Sequence, residues 1–233
     1  MGILAKPLGY LLTWIYGIVG SYGWALVILT VLVKGLLFPI YVKSMKSTAK
    51  MSELQPQVQE IQQKYAKDQA LMNQKVQELY KENGASATGG CLPMIVQMIV
   101  IMGLFTLLRN PLQYITSQDM IFAVHESFFW IKDLAQPDLW ILPIGSAIGT
   151  YLAQAFNPAP AGGSPQQGQA MMKVMKYFFP IMILWMARSY PAGLAIYWFG
   201  SQIIQIGYNF ALKAMRKKEE EKKKKAKSKK KVA

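Results

Sequence analysis

Long apolar runs alternate with shorter polar stretches along the chain, and the polar positions within and between them recur at helical rather than strand spacing. Leu8, Leu11, Leu12, Ile15 and Val19 follow Pro7 at such spacing and predict an interfacial amphipathic helix over 1–20. The alternative is a longer first span, since 7–33 holds no charge. A bilayer core of about 30 Å takes roughly 20 apolar residues per helix. Five runs are read as spans: 21–42, 93–108, 139–156, 174–187 and 193–212. The expected fold class is therefore all-α, a polytopic membrane protein with little chain left for a separate soluble domain.

Between the first two spans the pattern changes. From Lys43 to Asn83 the chain is too polar for a bilayer, yet Leu54, Val58, Ile61 and Tyr65, then Met72, Val76 and Leu79, form two short heptad seams. The polar stretch Ala66 to Ala70 separates them, which predicts an antiparallel helical hairpin over 43–90, with GASATGG returning the chain to the membrane. Spans two to five and their loops occupy 91–212. Within that region 110–137 reads as an exposed loop with an interfacial aromatic segment, FFW, and NPAPAGGSPQQGQ as a linker.

Composition sharpens the membrane reading: 52% of 233 residues are hydrophobic, and the net charge of +14 is concentrated outside the apolar runs. The hairpin segment 43–91 holds seven lysines, the loop 109–137 only Arg109 and Lys132, and the tail 213–233 carries 12 of the 26 Lys and Arg. The positive-inside rule then puts hairpin, linker and tail in the cytoplasm and the N-terminus outside. The start of the chain offers no convincing secretory signal, so 1–20 is expected to be mature sequence. The tail suits either anionic lipid or ribosomal RNA, and the sequence does not separate them.

Chemistry enters with Lys34, a cation inside the first span that costs about 2.5 to 3.5 kcal/mol on insertion scales. Asp and Glu are absent from the predicted spans, which favours a hydrated intramembrane cavity over snorkelling toward the Lys43 end. Tyr197, Ser201 and Gln205 lie four apart and share one face of the fifth span. Enzyme readings lack parts. The single histidine, His125, falls in a loop, which leaves an intramembrane serine without a base, and no pair of span aspartates exists. Cys91 reads as a small packing residue, no metal or cofactor motif occurs, and the expectation is a protein that is not an enzyme.

Four segments together resemble the YidC/Oxa/Alb family of membrane protein insertases: TVLVKGLLFPI leading to MSELQPQVQEIQQKY, then GGCLPMIVQM, FFWIKDL and YPAGLAIYW, in that order over nearly the whole chain. The resemblance is to the bacterial type without a large extracytoplasmic domain. It implies a membrane insertase and chaperone: five spans around a hydrophilic groove that moves client segments from cytoplasm to bilayer in the plasma membrane. Lys34 stands where the family usually has arginine, so the charge carries over and bidentate pairing does not. By motif position Thr30, Met98, Tyr197 and Trp198 would line the groove or its client-facing edge, with Gln97 and Gln202 added from the residue reading. Ile99 follows Met98 where many relatives have proline. The implied partners are nascent membrane proteins and lipid, with ribosome, targeting factor and Sec translocon at the hairpin and tail, and no DNA. From another class, a small-solute transporter or channel would also use an intramembrane cation. A membrane-bound ribosome tether would rest on the tail alone.

Overall fold

The computed structural model describes residues 2–85, 92–115, 118–156 and 174–232, and among them it contains helices and no β-strand. Helix α1 spans Gly2–Val19 and ends at Gly20, whose φ of +66° is the left-handed value that closes a helix, with its N–H on Tyr16 O at 2.8 Å. Helix α2, Tyr22–Glu53, runs 32 residues without a break, or about 48 Å. It is the one described helix long and apolar enough by composition to cross a membrane. Shorter apolar helical stretches are Leu4–Val19, Ile95–Arg109 and Lys176–Ala187.

Leu54 alone separates α2 from α3, Gln55–Lys64, and α4 follows over Gln69–Glu82. Asp68 caps α4 by accepting the N–H of Leu71 at 3.0 Å. The two arms close on Val58, Val76 and Tyr80, with Met51 and Leu54 at the root and Ile61 and Leu79 packed alongside. The heptad seams thus face each other, but α2 carries the helix past 42 to the root of the hairpin. Of the return segment, only Gly84 and Ala85 fall among the described residues; Cys91 and the linker 157–169 lie outside them.

Helix α5 is Leu92–Arg109, followed by the short α6, Pro111–Tyr114, and α7, Gln118–Ala123. The region 110–137, expected to be exposed, is so only in part: Ile115, Met120, Ala123, Val124, Ile131 and Leu134 join the main core, while many of the residues between them are exposed. Its aromatic tip is exposed as expected, Phe129 and Trp130 being 74% and 49% accessible. Glu126 ties the loop down. Its carboxylate accepts the N–H of Tyr22 at 2.8 Å and the hydroxyl of Tyr16 at 2.9 Å, so a side chain from the loop caps α2.

Helix α8 is Ile141–Ala155. A π-helical turn, Val174–Phe178, leads into α9, Phe179–Ala187, and α10 runs from Ala192 to Val232. The main core draws Leu8, Leu12 and Ile15 from α1, Leu26 and Leu29 from α2, Leu104 and Leu107 from α5, Ile183 from α9 and Tyr197 from α10. A third, smaller cluster joins Tyr41 and Met45 of α2 to Leu212 of α10.

Candidate functional site

Lys34 sits on the inward face of α2, only 8% exposed, four residues after Thr30 and seven before Tyr41. Those steps put the three side chains on one side of the helix. Among the described residues no carboxylate, hydrogen-bond acceptor or aromatic ring meets the Lys34 ammonium. A cation withdrawn from bulk water and left without a counter-ion costs several kcal/mol, which makes Lys34 the candidate around which the site is described.

Helix α10 packs along α2. Thr30 is 1% exposed, donates its hydroxyl to Leu26 O at 2.7 Å and lies against Gly200 of α10. Tyr197 is fully buried and its hydroxyl oxygen accepts Gln97 Nε2 of α5 at 3.2 Å. Trp198 is also buried, its indole N–H donating to Thr150 Oγ1 at 3.0 Å, while Thr150 donates onward to Ser146 O at 2.7 Å. Gln202 is half-buried against Gly149 of α8. Met98, one residue after Gln97 and so turned about 100° away, is 45% exposed.

The structure therefore brings Gln97 to Tyr197, Trp198 and Gln202 to α8, and Thr30 to α10. It turns Met98 outward, and it fixes the two aromatics by hydrogen bonds rather than leaving them at a surface. Trp198 and Tyr197 are adjacent in sequence yet held by different helices, α8 and α5.

Asn209 is not among the candidates the sequence offers, although it continues the stripe of Tyr197, Ser201 and Gln205 by one further step of four. It is 3% exposed, accepts from Tyr41 Oη of α2 and from Gln205 Nε2 at 3.4 Å, and donates Nδ2 to Ala153 O of α8 at 3.0 Å. One amide thus joins α2, α8 and α10. Buried polar groups in a membrane must be satisfied internally, and a side-chain amide offers both donor and acceptor for that. Among the described residues no group of three or more His, Cys, Asp and Glu is placed to hold a metal ion.

The family model described as 60Kd inner membrane protein matches residues 14–221. The membrane protein insertase YidC of Oleidesulfovibrio alaskensis is 39% identical over 205 residues, which cover 88% of this chain and 37% of that protein. Those of Aromatoleum aromaticum and of Haemophilus influenzae strain PittEE are 34% and 38% identical, covering 91% and 87% of this chain and 36% and 35% of the relatives. The chain thus spans little more than a third of the length of the curated relatives it matches. A solved structure, an active YidC insertase crystal structure with the first transmembrane domain resolved, shares the fold with a TM-score of 0.62. That match is 24% identical and covers 87% of this chain and 44% of the other. With the family model matched over most of its length, the chain belongs to the 60Kd inner membrane protein family.

Proposed function

We propose that this chain is a membrane protein insertase that moves client transmembrane segments from the cytoplasm into the bilayer beside Lys34. The observation that carries the reading is this buried cation without a partner, on the inward face of the helix best suited to cross a membrane. In a site of low dielectric a cation attracts an acidic side chain far more strongly than in water. A client's acidic polar segment would gain that attraction while crossing and lose it on leaving, and no covalent bond need change.

In this reading α1 lies in the interface, α2, α5, α8, α9 and α10 supply five spans, and the space beside Lys34 is a hydrated groove. Thr30, Gln97 and Gln202 supply polar lining, Tyr197 and Trp198 a fixed back wall, and Met98 the apolar edge where a client helix meets lipid. The N-terminus lies outside, while hairpin and tail face the cytoplasm and receive clients from ribosome, targeting factor or Sec translocon. The basic tail, seven hairpin lysines and the presence of only Arg109 and Lys132 as cations in 109–137 support that orientation.

The test is insertion of a short client with an acidic external tail into vesicles holding the full chain, Lys34→Ala or Lys34→Arg. Loss of insertion with alanine and retention with arginine is expected. Equal insertion by all three would remove Lys34 from the mechanism. No insertion even by the unsubstituted chain, together with saturable uptake of an anionic solute, would favour a transporter.

A further inference from the structure

At the N-terminal end of α8, away from Lys34's stretch of α2, an open cleft of about 330 Å³ is lined by Trp130, Ile131, Lys132, Asp133, Gln136 and Leu139, among others. Its walls are preformed. Phe128 and Ile131 exchange backbone hydrogen bonds at 2.8 and 2.9 Å, and Leu134 O and Gln136 O accept the N–H groups of Gly193 and Ala192 at 3.1 and 2.9 Å. The cleft is thereby pinned to the start of α10.

The charges in the cleft are unequal in availability. Asp133 is occupied by Ala135 N at 2.8 Å and by His125 Nδ1 at 3.1 Å. Asp138 accepts Leu142 N at 2.6 Å, Trp130 Nε1 at 3.3 Å and Trp140 N at 3.3 Å. Burial opposes ionisation of Asp138, yet these bonds outweigh it and hold its carboxyl below the usual carboxylate range. Lys132 is exposed and, among the described residues, has no ion pair or hydrogen bond. A second cation, Arg188, stands 4.7 Å over the ring of Trp140 at the same end of α8.

Below the cleft, α8 presents Ile141, Ile144 and Ile148, 55%, 45% and 55% exposed, in one apolar row that ends at Tyr151. From Ile141 to Tyr151 is about 15 Å along the helix, half of a 30 Å hydrocarbon core. A free cation thus stands at the head of an apolar track as deep as one leaflet, with Trp130 and Trp140 where tryptophans favour the interface. We infer that this cleft binds the phosphate-bearing headgroup of a membrane phospholipid through Lys132, with the lipid's acyl chains lying along the exposed face of α8.

The full chain would be reconstituted in phosphatidylcholine vesicles containing a trace of phosphatidylcholine with a photoactivatable diazirine near its acyl carbonyl, or of diacylglycerol carrying the same chain. Labelled positions would be mapped by peptide mass spectrometry. The phospholipid probe is expected to label 130–148 about fivefold more than diacylglycerol does, the scale of one lysine contact with a lipid phosphate. The exposed row at Ile95 and Ile99 of α5 serves as reference and should show no such preference. Lys132→Ala should abolish the preference and Lys132→Arg keep it; Lys132 is exposed, so neither change burdens folding. Equal labelling by both probes, or a preference unchanged in Lys132→Ala, would overturn the assignment and leave only ordinary lipid contact. Either result is independent of whether the chain inserts clients.

Discussion

The carboxylate of Glu126 meets the backbone N–H of Tyr22 at 2.8 Å, across 104 positions of sequence. The first turn of a helix leaves its N–H groups without internal partners and carries partial positive charge, and a carboxylate answers both needs. Ser21, the residue in the capping position, makes no side-chain cap bond, so the loop does what the local sequence does not. Replacement of Glu126 by alanine is expected to cost about 1–2 kcal/mol, and by glutamine less, since glutamine keeps one acceptor. Thermal unfolding of the detergent-solubilised protein reads both, and an unchanged midpoint in Glu126→Ala would show that the cap is redundant.

The same loop is pressed against α2 at Gly23. A Cβ there would stand 2.1 Å from Phe128 Cδ2, a distance real side chains do not tolerate. Gly23→Ala should therefore destabilise by about 1–3 kcal/mol, the usual range for overpacking. Adding Phe128→Ala should make the pair less than additive, because the clash disappears with the ring. Strict additivity in that cycle would locate the cost elsewhere.

Asn209 joins three helices, so its loss takes the side-chain donor from Ala153 O and the acceptor from the Tyr41 hydroxyl. Asn209→Ala is expected to cost about 1–3 kcal/mol, and Asn209→Asp more, since a carboxylate offers no donor to Ala153 O and adds a buried charge. Tyr41→Phe should cost less than either and show coupling with Asn209→Ala in a double-mutant cycle. The readout is again the unfolding midpoint.

Asp138 gives a pH dependence. Its carboxyl is held below the ordinary value near 3.9, so the folded state binds that proton less readily than the unfolded chain does. The resulting stability is fully present above the ordinary value and is lost as pH falls through the lower folded value. Asp138→Asn removes this term. The difference in unfolding midpoint between the natural chain and the variant should be flat at neutral pH and shrink below about pH 4. A difference independent of pH would show that the bonds at Asp138 do not depend on its charge.

Much of this architecture was legible in the sequence because apolar runs at helical spacing mark where helices lie and heptad spacing marks the hairpin seams; the helix ends were not, since α2 continues past 42 to Glu53 and α10 past 212 to Val232. The positions of Leu54, Val58 and Val76 sufficed to pair the two arms. The packing of 110–137 was not legible. Its buried residues, Ile115, Met120, Val124, Ile131 and Leu134, are separated by irregular intervals, and their partners on α1 and α2 are about a hundred positions away. Lys34 announced itself by cost, since a charge in an apolar run has few bland explanations. Asn209 did not, because it sits between Tyr208 and Phe210 near the basic tail, where polarity is unsurprising; only the four-residue stripe above it pointed there. Trp198 was visible as a notable side chain, but its bond to Thr150 depends on how α8 lies beside α10, which no local pattern encodes.

The unbroken course of α2 has a mechanical meaning. With no loop between Lys34 and the hairpin root at Leu54, a twist applied to the hairpin arms is passed along one shaft to the level of the buried ammonium. Pro39 notches that shaft: its ring nitrogen has no hydrogen to give to the carbonyl of Gly35, so bending is cheapest between those two residues. A partner that grips the hairpin would therefore hold a handle on the depth and heading of the charge, with the pivot lying only one turn below it.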